Sequence, residues 1–314
     1  MIEYRSLREE ELESWFDHCA EVFEGASREY FLRHWANDPF QDLNSIFIAV
    51  EENKILSTVR VFHREIYIHG KKVKMGGIGE VSTKAEARKK GLSTQLLNKC
   101  IEYMKEQGVQ VSILFGNQLN YSKLGWRFID LNLNISEIEA YKGLYKIREV
   151  DFHKDAKVLM AIYEKYNLQF NGTVVRNNQL YWIDWIKSES KSCFAVEDYK
   201  GNIVGYMSVS NENDTLLVKD FAAKLGSENV FEELGAYACN KLGAVNQIKY
   251  PAVIKNTLNI KANEKIEDIM VRLISPFQIG DTSINNTDEL IEVLNNGENN
   301  QKSSEFIFWV ADSF

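Results

Sequence analysis

Proline is scarce. Pro39, Pro251 and Pro276 are the only three in 314 residues, where an average composition of roughly 5% would supply about fifteen. Any linker must therefore be built without a proline-rich spacer. Cys19, Cys100, Cys193 and Cys239 lie far apart without a CxxC pair, which excludes a disulfide framework and a standard zinc site and fits a reducing, cytoplasmic setting. The histidines, His18, His34, His63, His69 and His153, show no ligand spacing, so no metal is expected. No apolar run approaches the roughly 18 residues of a membrane helix. The charged start, Met1-Ile-Glu-Tyr-Arg, has no signal-peptide core. Positive charge is also in deficit: Lys+Arg 37 against Asp+Glu 45 leaves −8. That balance argues against a sequence-independent grip on nucleic acid and suits a cationic substrate better.

The length favours two domains on a prior of about 150 residues each. Apolar periodicity places a strand at Ile2–Tyr4, helices around Leu12–Phe23 and Arg28–Trp35, and strands over Ser45–Val50, Ile55–Ile68 and Lys72–Thr83. A helix from Leu92, a strand over Val109–Phe115, a short polar helix over Asn117–Leu124 and a strand from Trp126 follow. From about Tyr145 the order repeats, with an aromatic helix at Gln179–Lys187, strands at Cys193–Glu197, Ile203–Ser210 and Leu216–Phe221, a helix near Val230–Leu242 and a strand near Ala244–Tyr250. The expectation is an α+β chain of two similar mixed-sheet domains, 1–140 and 141–268, with a short extension, 269–314, too small for its own core. Within that extension Phe306–Val310 reads as a buried strand.

Two local features carry chemistry. Gly76-Gly77-Ile78-Gly79 lies in a strand, where glycines mark a bulge or the close approach of another molecule. Arg88-Lys89-Lys90-Gly91-Leu92-Ser93 lies between a strand and a helix. There, free N–H groups and the helix dipole make an anion site that three cations reinforce.

The pattern R-x-x-G-x-[GAS] after a strand, followed by a helix, an apolar strand and Tyr121-Ser-Lys-Leu-Gly125-Trp126, resembles the GCN5-related N-acetyltransferase (GNAT) superfamily over about Ile46 to Phe128. The resemblance implies the acyl-CoA N-acyltransferase fold and acetyl-CoA as co-substrate. Carried over by position, Val81, Ser82 and Thr83 meet the pantetheine arm, Arg88, Lys89, Lys90, Gly91, Leu92, Ser93 and Thr94 hold the pyrophosphate, and Gly116 and Asn117 border the arm. Tyr121 takes the position of the general acid, for which a phenol protonated at neutral pH is suited.

The second half has Lys219-Asp220-Phe-Ala-Ala-Lys-Leu-Gly-Ser227 where the basic turn would be, so a non-catalytic GNAT-like domain is expected there. One catalytic and one degenerate half resemble the enhanced-intracellular-survival (Eis) group, as do Asn171-Gly-Thr-Val-Val-Arg176, Trp182 with Trp185, and Met270-Val-Arg-Leu-Ile274. In that group a terminal main-chain carboxylate assists amine deprotonation, which makes Phe314 the candidate base, Glu80 its rival and Asp312 a lesser possibility. The extension is about half the length of that group's sterol-carrier-like third domain. The resemblance implies direct transfer to a primary amine, on a small molecule or a lysine, and self-association into a homo-oligomer, without a nucleic-acid or membrane partner. The alternative is a non-catalytic acyl-CoA-binding regulatory or scaffold protein.

Overall fold

The structure, a computed structural model, describes residues 1–116, 121–227, 229–243, 246–296 and 306–314. Strand β1 (Glu3–Ser6) leads into α1 (Leu12–Val22), whose Trp15, Phe16 and Cys19 recur at helical spacing and are buried. Ser27 caps α2 (Arg28–Ala36) by accepting from the Tyr30 amide. The long hairpin of β2 (Ile46–Glu51), β3 (Lys54–Ile68) and β4 (Lys71–Thr83) turns twice on residue pairs at positive φ, Glu52-Asn53 and His69-Gly70. Such primed turns match strand twist. Helix α3 (Leu92–Glu106), β5 (Val111–Phe115) and the short β6 (Arg127–Phe128) follow.

The second half contributes β7 (Leu131–Glu137), β8 (Lys146–Glu149), α4 (Phe152–Asn167), β9 (Ser192–Glu197), β10 (Ile203–Glu212), β11 (Thr215–Ala223), α5 (Val230–Leu242), β12 (Gln247–Pro251) and β13 (Ile260–Ile266). After them come β14 (Ile269–Leu273), a hairpin of β15 (Phe277–Ile279) and β16 (Thr282–Ile284), and α6 (Thr287–Asn295). Two seven-stranded mixed sheets result, ordered β1-β2-β3-β4-β5-β14-β6 and β8-β9-β10-β11-β12-β7-β13. Each has one parallel pair at the corresponding place, β4–β5 and β11–β12. Position by position the sheets match, and they exchange their sixth strand. β7 enters the second sheet between β12 and β13, while β14 enters the first between β5 and β6. Sheet membership thus crosses the expected boundaries at 140 and 268.

The halves share more than strands. The segment after α4 runs along β3, with Gly172 N–H donating to Tyr67 O, Tyr67 N–H to Thr173 O and Val175 N–H to Glu65 O. The Asn171 amide donates to the carbonyls of Val293, Leu294 and Asn296, so it satisfies orphan acceptors at the end of α6.

Three expected elements differ. The aromatic helix is a π-helical turn, Tyr181–Ile186, which puts Tyr181, Trp182, Trp185 and Ile186 all inside. Of the short polar helix, 117–120 fall outside the described residues, and Ser122–Leu124 form a 3-10 turn closed by Gly125 at φ 92°. Phe306–Val310 is not a strand: Phe306 makes one bridge to Asn171. A strand would show alternate faces to different surroundings, but Phe306, Ile307, Phe308 and Trp309 are all buried, enclosed on every side. Among the described residues, no helix is long and apolar enough to cross a membrane.

Candidate active site

Pairing between β4 and β5 ends at Ile78 with Leu114, although β4 continues against β3 to Thr83. Beyond Ile78 the two strands are no longer paired, and Gly79–Thr83 has no β5 partner. Within that stretch β4 bulges. Thr58 faces Ser82 and Arg60 faces Gly79, so Glu80 and Val81 together oppose Val59. Glu80 takes a left-handed φ of 53° to accommodate the extra residue. The glycine-rich strand had suggested a bulge or a close approach, and both are present.

What approaches the glycines is the end of this chain. A Cβ on Gly77 would clash with the Cζ end of the Phe314 ring, and one on Gly79 would lie 3.3 Å from the Phe314 main-chain carbon and 3.4 Å from its oxygen. The Phe314 ring stacks on Phe62 at 5.1 Å and meets Phe115 and Phe308 edge-on at 6.1 and 5.9 Å. One residue beyond Phe115, Gly116 leaves space for the Tyr121 ring, which its Cβ would strike. The end of β5 therefore contacts Phe314 through Phe115 and Tyr121 through Gly116. Tyr121 packs edge-on against buried Trp126 at 6.3 Å. Burial pushes its phenol above the usual value, so it remains a proton donor at neutral pH.

The basic turn opens α3. Ala85–Ala87 form a 3-10 turn, Lys89 and Gly91 stand at φ 64° and 75°, and α3 starts with neither an acidic first turn nor a side-chain cap. Its first N–H groups are left for an anion. Arg88, Lys89 and Lys90 are exposed beside them, with Ser93 and Thr94 in the first turn, whereas the Leu92 side chain is buried in the core and offers only main chain. In the second half the matching helix, α5, begins with Glu232 and Glu233, a poor place for phosphate. Val81 is half-buried. Ser82 and Thr83 have hydroxyls engaged by His18 Nε2 at 3.0 Å and Ser57 Oγ at 2.8 Å, so what they offer a ligand is chiefly main chain. Asn117 lies outside the described residues.

Behind the bulge is a buried ionic group with no sequence spacing to announce it. His34 Nδ1 donates to Glu80 Oε1 at 3.3 Å, Arg60 Nη1 lies 3.6 Å from the same oxygen, and among the described residues Glu80 Oε2 has no partner. Arg60 and Arg64 both donate to Asp38, at 2.9 and 3.0 Å. Burial raises the Asp38 carboxyl, but Arg64 and Arg60 outweigh it and hold the group below the usual carboxylate range. The Arg60 guanidinium lies 4.0 Å from the Phe62 ring centre, under the ring that carries Phe314. Trp185 closes the far side, 4.5 Å from His34. Asp312 is bound elsewhere: its carboxylate takes Arg176 Nε and Nη2, both at 2.9 Å, and Tyr181 Oη at 3.0 Å, all fully buried. It has no free oxygen with which to act as a base.

Residues 3–129 match the family model of the acetyltransferase (GNAT) domain. No curated protein matches the sequence significantly. Among solved structures, the fold resembles a conserved protein of unknown function from Enterococcus faecalis, described as a probable N-acyltransferase (TM-score 0.69, 16% identity, 87% of this chain and 73% of that one). It also resembles Eis1 from Mycobacterium abscessus (TM-score 0.60, 15% identity, 87% and 74%). N-myristoyltransferase from Saccharomyces cerevisiae, solved with myristoyl-CoA, is similar over 98% of this chain and 89% of its own (TM-score 0.59, 10% identity).

Proposed function

We propose, from the match of residues 3–129 to the GNAT acetyltransferase domain, that the protein is an Eis-like N-acetyltransferase carrying acetyl from acetyl-CoA directly to a primary amine. The end of pairing between β4 and β5 ahead of a basic, uncapped helix start suits an acyl-CoA with its pyrophosphate at Arg88–Thr94 and its pantetheine arm along Val81–Thr83. Bound there, the thioester supplies the activated acyl group. The amine must lose a proton to attack, and the thiolate must gain one as the C–S bond breaks. Tyr121, held protonated, gives the proton to sulfur. Where the chain ends at Phe314, the main-chain group beside Gly79 is a carboxylate, and it takes the proton from the ammonium. Glu80, one residue beyond Gly79 and with one buried oxygen unpartnered among the described residues, is the second candidate for that step.

The observation that carries the reading is that Phe314 packs on Phe115 and Tyr121 on the adjoining Gly116. A chain extended by one glycine after Phe314 moves the carboxylate by about 3.8 Å. We expect kcat for amine-dependent thiol release to fall about 100-fold or more, with acetyl-CoA affinity unchanged. Full activity would remove the carboxylate from the mechanism. Affinity for acetyl-CoA without turnover across amines of varied size and charge, lysine peptides included, would make the protein an acyl-CoA-binding module instead.

A further inference from the structure

We propose that Arg176 is a positioning residue: through Asp312 it sets where the last two residues of the chain reach, and this is what the degenerate second half contributes to catalysis. The inference rests on the carboxylate reading above.

The geometry is specific. Arg176 binds Asp312 through two parallel bonds, Nε to Oδ1 and Nη2 to Oδ2, and its remaining nitrogen, Nη1, donates to Asp220 Oδ2 at 2.5 Å. Such fork-to-carboxylate pairing fixes orientation as well as distance. Tyr181 Oη adds a bond to Asp312, Tyr206 Oη one to Asp220 at 2.9 Å, and the guanidinium lies 4.0 Å from the Tyr163 ring centre. All three charged side chains are without solvent exposure. Only Ser313 stands between Asp312 and Phe314, so the clamp limits the reach of the tail to about 7 Å.

Asp220 explains a departure in the sequence. It lies on β11, the second-half counterpart of β4, next to a bulge at the corresponding register, where Ser208 faces Asp220 and Val209 faces Val218. In the first half the bulged strand receives Phe314. In the second it receives the turn two residues earlier, Val310–Asp312. One short peptide is thus held by equivalent strands of both halves, and the tail needs no domain of its own to aim it.

The test uses the full-length protein with Asp312→Asn, Tyr181→Phe and, as a matched loss of a buried tyrosine hydroxyl away from the tail, Tyr250→Phe, which bonds Ser136 and Asn256. Three quantities are read: kcat, acetyl-CoA Kd, and the rate at which a carboxypeptidase releases phenylalanine. We expect Asp312→Asn to lower kcat and speed release, each by about tenfold or more, with Kd within about twofold. Tyr181→Phe should shift both in the same direction by about threefold to fivefold, and Tyr250→Phe neither. If Asp312→Asn does not fold, the comparison of the two tyrosine variants decides alone. Equal effects of Tyr181→Phe and Tyr250→Phe, or unchanged release in a folded Asp312→Asn protein, would overturn the proposal. Full activity of the glycine-extended chain would instead sink the carboxylate reading, while the release rates would still report whether the clamp holds the tail.

Discussion

Gly77→Ala tests whether the seat of Phe314 matters to catalysis. The added methyl would overlap the distal atoms of the Phe314 ring, with Cε2 only 2.6 Å away. The ring, not β4, is what can yield, since Gly77 is locked between Phe62 and Ile113 in the sheet. Expelling it forfeits burial worth about 1.5–3 kcal/mol and stacking with Phe62, Phe115 and Phe308 worth about 0.5–1.5 kcal/mol per pair. The chain therefore loses a few kcal/mol at most, because partial displacement recovers some contact. A displacement of about 1 Å suffices for a 100-fold loss of kcat. Gly76→Ala is the control. Successive residues face opposite sides of a strand, and a Cβ there would meet Met104 Sδ and, at 3.2 Å, Val61 under α3. Both variants should melt a few degrees lower by calorimetry, but only Gly77→Ala should lose turnover in the thiol-release assay. A folded Gly77→Ala enzyme with unchanged kcat would refute the reasoning.

Two further outcomes follow. Tyr121→Phe should lower kcat by about 10²–10⁴ with acetyl-CoA Kd by calorimetry unchanged, and equal turnover would exclude it as the acid. His18 is buried, which pulls it down to about 4 although its bond to Ile55 O opposes this. Ile55 O can only accept, so Nδ1 carries the proton and Nε2 accepts from Ser82. With the folded value below the unfolded one near 6.5, the stabilisation is complete above pH 6.5. It is lost as pH falls from 6.5 to about 4, by roughly 3 kcal/mol. Denaturant melts between pH 7.5 and 4.5 should show that loss in the native protein and not in His18→Gln, and parallel curves would contradict it.

Much of the site was legible because its chemistry is local. A basic run with a glycine before an amphipathic helix can be read as an anion-binding helix start from a single window, whereas Tyr121 was named through the resemblance to the GNAT superfamily that it carries with Gly125 and Trp126. The glycines of β4 announced an approach, although not that the visitor would be the chain's own Phe314. Residues that act across long separations were not legible. His34 and Arg60 meet Glu80, and Asp38 meets Arg60 and Arg64, only through the fold, and Arg176 meets Asp312 across 136 positions. Phe306–Val310 was misread because a run of apolar residues does not distinguish a strand from a segment enclosed on all sides. The exchange of β7 and β14 was equally hidden. Either strand is apolar enough for either sheet, and pattern alone does not say which neighbour it will pair with.

That exchange accounts for why a half without a basic turn accompanies the one that carries it. Tyr121 and Phe314 both pack against the end of β5, and β14, delivered from the second half, holds that end. Ile269 pairs with Phe115, and Gly116 N–H donates to Asp268 O at 2.9 Å. From the same strand, Arg272 donates to Leu124 O in the turn that follows Tyr121 and lies 5.0 Å from the Trp126 ring centre. The segment ending at Arg176 is bonded along β3, and Arg176 holds the tail. A lone first half would keep the anion turn and Tyr121, but β5 would become an open edge and Phe314 would have nothing to aim it. The basic turn belongs to one half, whereas the contacts that seat Tyr121 and Phe314 against β5 draw on both.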